Sequence, residues 1–155
     1  RWPGRMEVIS RNPYIVLDGA QNTASALALK EAIKDNFRYQ KLILVLGMSR
    51  DKDISGVCRQ FSDLCNIVIL TKSANPRAAN PPDLVGYFSA KESIKRTENR
   101  QKVIAEGDFL AGKEIFLSDS VQRAIAKAKA LAKKKDLILV TGSLFVAGEA
   151  LNAQI

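Results

Sequence analysis

The sequence predicts a single α/β domain: a mostly parallel sheet with an antiparallel hairpin strand at its N-terminal end and helices on both faces. Three observations carry that expectation. Strand-type and helix-type segments alternate along most of the chain. Lys41–Gly47 is a continuous aliphatic run, the pattern of a strand buried on both faces in a parallel sheet, and Leu137–Thr141 repeats it. The 155 residues, 46% hydrophobic and 26% charged, suffice for one ordinary domain with an apolar core that needs no disulfide or metal.

Taken in order, Met6–Ser10 and Tyr14–Asp18 are short β-type runs around the turn signature Arg11-Asn12-Pro13, and they predict a hairpin. A helix follows over Thr23–Phe37, capped by Asn22, with Ala26, Leu29, Ile33 and Phe37 on one face. After the Lys41–Gly47 strand, Asp53 can cap a helix carrying Val57, Phe61 and Leu64, and Asn66–Thr71 is the next strand. Asn75–Pro82 is loop. A helix or two is expected within Leu84–Gly107. Glu114–Leu117 is a short strand, Asp119–Lys135 a long helix, Leu137–Thr141 a buried strand and Leu144–Asn152 a closing helix.

Composition excludes several kinds of chemistry. No apolar run approaches the roughly 18 residues of a membrane helix. The chain has no histidine, which removes the usual general base and every Ser-His or Cys-His pair. Cys58 and Cys65 have neither zinc-pair nor CxxC spacing, and they read as reduced, half-buried thiols of a cytosolic protein. The net charge of +8 points to anionic partners. Much of it lies in Lys91–Lys102 and Lys127–Lys135. In the second stretch the lysines fall opposite Val121, Ile125, Ala128 and Leu131, as a solvated helix face would. No aromatic side chain lies among them, which argues against a nucleic-acid surface. The opening Arg1-Trp2-Pro3-Gly4-Arg5, without initiator methionine or signal-type stretch, suggests a piece of something longer.

In open parallel sheets, ligands bind beyond the carboxyl ends of the strands. Four polar loops fall there: Asp18-Gly19-Ala20-Gln21-Asn22, Gly47–Asp53, Thr71–Arg77 and Gly142-Ser143. Together with Trp2-Pro3-Gly4-Arg5, Asp51-Lys52-Asp53, Pro76-Arg77, Leu144-Phe145 and Gly148-Glu149, they resemble, in order over nearly the whole chain, one family. It is the C-terminal domain of folylpolyglutamate synthase/dihydrofolate synthase, similar to the Mur ligases. The family usually reads Asp-Gly-Ala-His-Asn-Pro where this chain has Gln21 and Thr23.

The resemblance implies a Rossmann-like fold and an ATP-dependent amide ligase of the cytoplasm. ATP phosphorylates a folate or dihydropteroate carboxylate, and the amine of L-glutamate attacks the acyl phosphate. It implies one domain over residues 1–155, with 1–5 as interdomain linker. A phosphate-binding loop, the Mg2+ ligands and most of the folate pocket belong to an N-terminal ATPase domain in cis. GxxxxGK[ST] does not occur in this chain. A monomer with no nucleic-acid or membrane partner is expected, as is no ligase activity from residues 1–155 alone.

Residue by residue, the resemblance gives Arg5 to the ATP phosphates, whose geometry a guanidinium fork matches. Asp18 would accept from the ribose hydroxyls or, as a turn residue, hold its own loop. Gln21 stands where the family has a histidine near the phosphates; it can donate a hydrogen bond but cannot carry a proton charge. Asn22 divides between capping a helix and touching ATP. Lys52 resembles the lysine that takes the incoming amino acid's carboxylate. Ser143, at a helix start where free N–H groups favour an anion, resembles the glutamate-contacting serine. Arg77 falls on the substrate side. No residue is assigned as catalytic and none as a metal ligand. Two other readings use the same residues: a Rossmann-like nucleotide- or nucleic-acid-binding module, and a non-catalytic regulatory derivative of the ligase domain, which Gln21 would suit.

Overall fold

The computed structural model describes residues 5–88, 95–97, 102–104 and 113–153. Its strands are β1 (Glu7–Arg11), β2 (Tyr14–Leu17), β3 (Leu42–Leu46), β4 (Ile67–Leu70), β5 (Lys95–Thr97), β6 (Lys102–Ile104), β7 (Glu114–Leu117) and β8 (Leu137–Thr141). The helices are α1 (Thr23–Asn36), α2 (Ile54–Phe61), α3 (Pro81–Leu84), α4 (Val121–Leu131) and α5 (Leu144–Asn152), with a 3-10 turn at Val85–Tyr87. One sheet runs β1-β2-β8-β3-β4-β7-β6-β5. Its centre, β2 to β7, is parallel throughout. At one end β1 pairs antiparallel with β2, and at the other β6 and β5 continue antiparallel from β7.

Alternation within the aliphatic strands sorts side chains onto two cores. Leu42, Leu44 and Leu46 of β3 join α1 and α2 through Ala26, Leu29, Ile33, Val57 and Phe61. Ile43 and Val45 face the other way, toward Val121, Ile125, Val146 and Ala150 of α4 and α5. Both faces are therefore dry, which is why β3 and β8 read as unbroken aliphatic runs rather than alternating ones. Burying each such Leu or Ile contributes roughly 1.5–3 kcal/mol.

Several elements depart from the sequence expectation. The helix expected over Asp119–Lys135 is shorter: Ser120 caps it, its Oγ accepting the Arg123 amide at 3.2 Å, and it ends at Leu131. The buried Asp136 stops it, because its carboxylate accepts the amides of Lys133 at 2.8 Å and Lys41 at 3.2 Å. Leu64 lies beyond α2. Within Leu84–Gly107 the helical part is only the end of α3 and the 3-10 turn, and β5 and β6 are strands; the remaining helix expectation lies outside the described residues. Most of the lysine-rich stretch Lys91–Lys102 lies outside them as well. Lys127 is not simply solvated, since its Nζ stands 4.7 Å from the centroid of the Phe116 ring.

Both cysteines are free and fully buried rather than half-buried. Burial pushes the Cys58 thiol up to about 12 and the Cys65 thiol up to about 11. They are core residues rather than nucleophiles.

Candidate functional site

Because β2, β8, β3, β4 and β7 are parallel, the residues that follow them emerge on one edge: Asp18, Gly142, Gly47, Thr71 and Ser118. Beside β2 that edge holds a cavity of about 500 Å³. Arg5, Asp18, Gln21 and Asn22 line its polar side; Met6, Leu29 and Leu144 are among its apolar lining. The four residues that the sequence assigns to ATP thus border one space.

Asp18 is half-buried, and both of its oxygens are engaged. Oδ2 accepts the Met6 amide at 2.9 Å and Oδ1 the Ala20 amide at 2.7 Å. Burial raises its pKa above the ordinary 3.8, against the lowering effect of those two amides and of the Arg5 charge. Asn22 is the N-cap of α1. Its Oδ1 accepts the Ser25 amide at 2.8 Å, while the Ser25 Oγ accepts the Asn22 and Gln21 amides, each at 3.2 Å. Asn22 therefore does the work of a cap while still bordering the cavity.

The residues assigned to glutamate are placed differently. Lys52 and Arg77 are exposed and line neither this cavity nor the next one described. Ser143 is buried as the N-cap of α5, its Oγ accepting the Phe145 amide at 3.0 Å and the Val146 amide at 3.3 Å. Its hydroxyl proton is left to donate. Between Lys52 and Asn22, Asp53 joins the starts of two helices: Oδ1 accepts the Gly56 amide at 3.0 Å and Oδ2 the Thr23 hydroxyl at 3.0 Å. These bonds hold the exposed Asp53 carboxyl below the usual aspartate range.

A second cavity of about 420 Å³ lies along the same edge, bordered by Arg50, Lys72, Asn75, Asp119 and Glu149, among others. Arg50 donates from its guanidinium to the carbonyls of Pro76 at 3.0 Å and Ala78 at 3.3 Å, and Glu149 Oε1 accepts the Ala74 amide at 2.7 Å. The sequence reading missed Arg50, Lys72 and Glu149 as a group. They come from three separate segments, and the partners of Arg50 and Glu149 are backbone groups that no side-chain pattern announces. Met6 was missed for the same reason. Among the described residues no group of three or more His, Cys, Asp or Glu side chains could hold a metal ion. No helix among them is long and apolar enough to cross a membrane.

The fold and this edge define a class that comparison identifies. The family described as Mur ligase, glutamate ligase domain, matches residues 4–144, and the chain belongs to it. The chain is 31% identical over 149 residues to a probable bifunctional folylpolyglutamate synthase/dihydropteroate synthase of Haloferax volcanii, covering 96% of this chain and 15% of that protein. FolC of Escherichia coli, solved in complex with DHPP and ADP, matches with a TM-score of 0.76 at 25% identity, over 97% of this chain and 31% of that one. The Mycobacterium tuberculosis folylpolyglutamate synthase complexed with ADP shares the fold with a TM-score of 0.80 at 23% identity, over 99% of this chain and 32% of that one. The chain thus spans between 15% and 32% of the length of these relatives.

Proposed function

We propose that this chain is the C-terminal, glutamate-ligase domain of a cytoplasmic, monomeric ligase of the folylpolyglutamate synthase/dihydrofolate synthase type, working with an N-terminal ATPase domain in cis. The convergence of Arg5, Asp18, Gln21 and Asn22 on one cavity at the carboxyl edge of the sheet is the observation that supports it most. ATP with Mg2+ supplies the phosphoryl group that turns a folate or dihydropteroate carboxylate into an acyl phosphate. Both the Mg2+ ligands and the phosphate loop belong to the partner domain in this reading.

This chain's part is positional and electrostatic. Arg5 meets the charge on the ATP phosphates with a guanidinium fork. Each Asp18 oxygen keeps a lone-pair direction beyond its backbone bond, enough to accept a ribose hydroxyl. Gln21 donates toward the phosphates without titrating, so its step needs no proton from this position. Asn22 fixes the start of α1 beneath them. Lys52 attracts a glutamate carboxylate, Ser143 donates its hydroxyl proton to one, and Arg77 adds charge on the substrate side.

A glutamate-incorporation assay on the polypeptide that carries this domain together with its ATPase domain tests the reading, with dihydropteroate and tetrahydrofolate offered separately. ATP-dependent incorporation into at least one is expected, and none from residues 1–155 alone. Incorporation into neither would overturn it.

A further inference from the structure

The bond from the Met6 amide to Asp18 Oδ2 spans twelve residues and ties the peptide ahead of β1 to the end of β2. Met6 has φ 46°, the one left-handed non-glycine residue among those described. A bulky L-residue keeps that conformation only where its surroundings impose it. The restraint at hand is the Asp18 carboxylate, which grips the Met6 amide with one oxygen and its own loop, at Ala20, with the other. Immediately before this turn stands Arg5, exposed, bordering the same cavity as Asp18 and Gln21. The Met6 side chain packs against the core beneath the sheet, so the bond to Asp18 fixes the backbone on the other side of this residue, where Arg5 leaves it. Only an acceptor on both branches satisfies both amides. An asparagine there has one oxygen and would face one of the two N–H groups with a donor.

We propose that Asp18 is a positioning residue for Arg5: by holding the Met6 amide in a left-handed turn it fixes where the guanidinium stands, and so governs recognition of a nucleotide's phosphate chain independently of any contact with its sugar. The inference rests on the nucleotide role proposed above. It adds that the carboxylate at the end of β2 acts through the linker, a role that contact with the ribose alone would not include.

The test is nucleotide binding by the full-length enzyme, measured by calorimetry with ATP and with 2′,3′-dideoxy-ATP, which offers no ribose hydroxyl. Asp18→Ala should weaken dideoxy-ATP, which can make no ribose contact, by about tenfold, and ATP by at least as much. In an Arg5→Ala background the same substitution should cost dideoxy-ATP less than about twofold, because its route to the phosphates is already gone. Asp18→Asn, whose single oxygen can satisfy only one of the two amides, should weaken dideoxy-ATP as well. It carries the comparison if Asp18→Ala does not fold. Wild-type affinity for dideoxy-ATP in these variants, or full additivity with Arg5→Ala, would overturn the positioning role alone. A wild-type enzyme that binds neither nucleotide would overturn this inference together with the proposed function.

Discussion

At the β8–α5 junction the chain is packed shut, whereas at the β2–α1 junction, on the same sheet edge, it leaves a cavity of about 500 Å³. Both are a parallel strand followed by a capped helix. In the first, Ser143 is buried, Gly142 has φ 106°, and the Gly47 carbonyl occupies the place a side chain at 142 would take. The hydroxyls of Thr141, the last residue of β8, and of Thr71, just after β4, are buried without a partner among the described residues. In the second, the cap Asn22 is exposed and the peptide at Met6 swings aside on its bond to Asp18. The backbone leaves room beyond the cap at α1, whereas at α5 the cap lies within the packed edge.

Gly142→Ala breaks the closed junction and should give the largest effect. A Cβ would overlap the Gly47 carbonyl oxygen, and φ 106° is strained for any L side chain, so a loss of about 3 kcal/mol is expected. Chemical denaturation of the variant checks it. Loss of less than about 1 kcal/mol would mean that the junction has slack.

Ser143→Ala asks whether the closed junction is purely structural. The Phe145 and Val146 amides lose their acceptor, which should lower stability by about 1–2 kcal/mol. If the hydroxyl also serves glutamate, the glutamate KM of the full-length enzyme should rise more than the ATP KM. Lys52→Ala is the control. An exposed lysine carries little stability, so its effect should be kinetic only, about ten- to a hundredfold in the glutamate KM. Equal changes for both substrates would remove both residues from the glutamate site.

The legibility of the two junctions differed for physical reasons. The closed one was readable because Leu137–Thr141 is an unbroken aliphatic run and Ser143 a cap residue at the start of an apolar stretch. β7 was readable for the same local reasons. The end of α4 was not, since Ala132–Lys135 retains helix-forming side chains and the chain is turned by the buried Asp136 carboxylate, which accepts the Lys133 amide and the distant Lys41 amide. β5 and β6 escaped because Lys95–Thr97 and Lys102–Ile104 are three residues each and carry lysine, as strands outside a central sheet often do. At the open junction, Asp18, Gln21 and Asn22 share one loop and could be grouped by eye. The left-handed Met6, set by a bond twelve residues away, could not.

Gly56→Ala probes the Asp53 contact that joins the starts of α1 and α2. A Cβ there would overlap Thr23 Oγ1 and Asp53 Oδ2, both ends of side chains able to rotate away. The helix cap and the Thr23–Asp53 bond would be lost at about 1 kcal/mol, while replacing a helical glycine returns a similar amount. Net stability should change by less than about 1 kcal/mol. The Asp53 carboxyl should rise toward 3.8 as its two donors leave.

The smallest effect sharpens the comparison most, because it sets two aspartates of the same edge against each other. Asp18 is raised above 3.8 chiefly by burial, which outweighs the Met6 and Ala20 amides and the Arg5 charge. Asp53 is lowered below 3.8 chiefly by the Gly56 amide and then by the Thr23 hydroxyl. The signs of their linkage to folding are therefore opposite. For Asp18 the folded state holds its proton more tightly than the unfolded one. Its contribution to stability is present below 3.8 and lost as pH rises through the folded value. For Asp53 the contribution is present above 3.8 and lost as pH falls through the folded value. Carboxyl-carbon NMR titration should place the Asp18 midpoint above 3.8 and the Asp53 midpoint below it. Arg5→Ala should move Asp18 further up and leave Asp53 where it is, since only Asp18 feels that charge. Thr23→Ala should move Asp53 up and leave Asp18. Midpoints on the same side of 3.8 would show that the carboxylate beside the cavity is as well hydrated as the one at the exposed cap, and the distinction between the two turns would lose its electrostatic half.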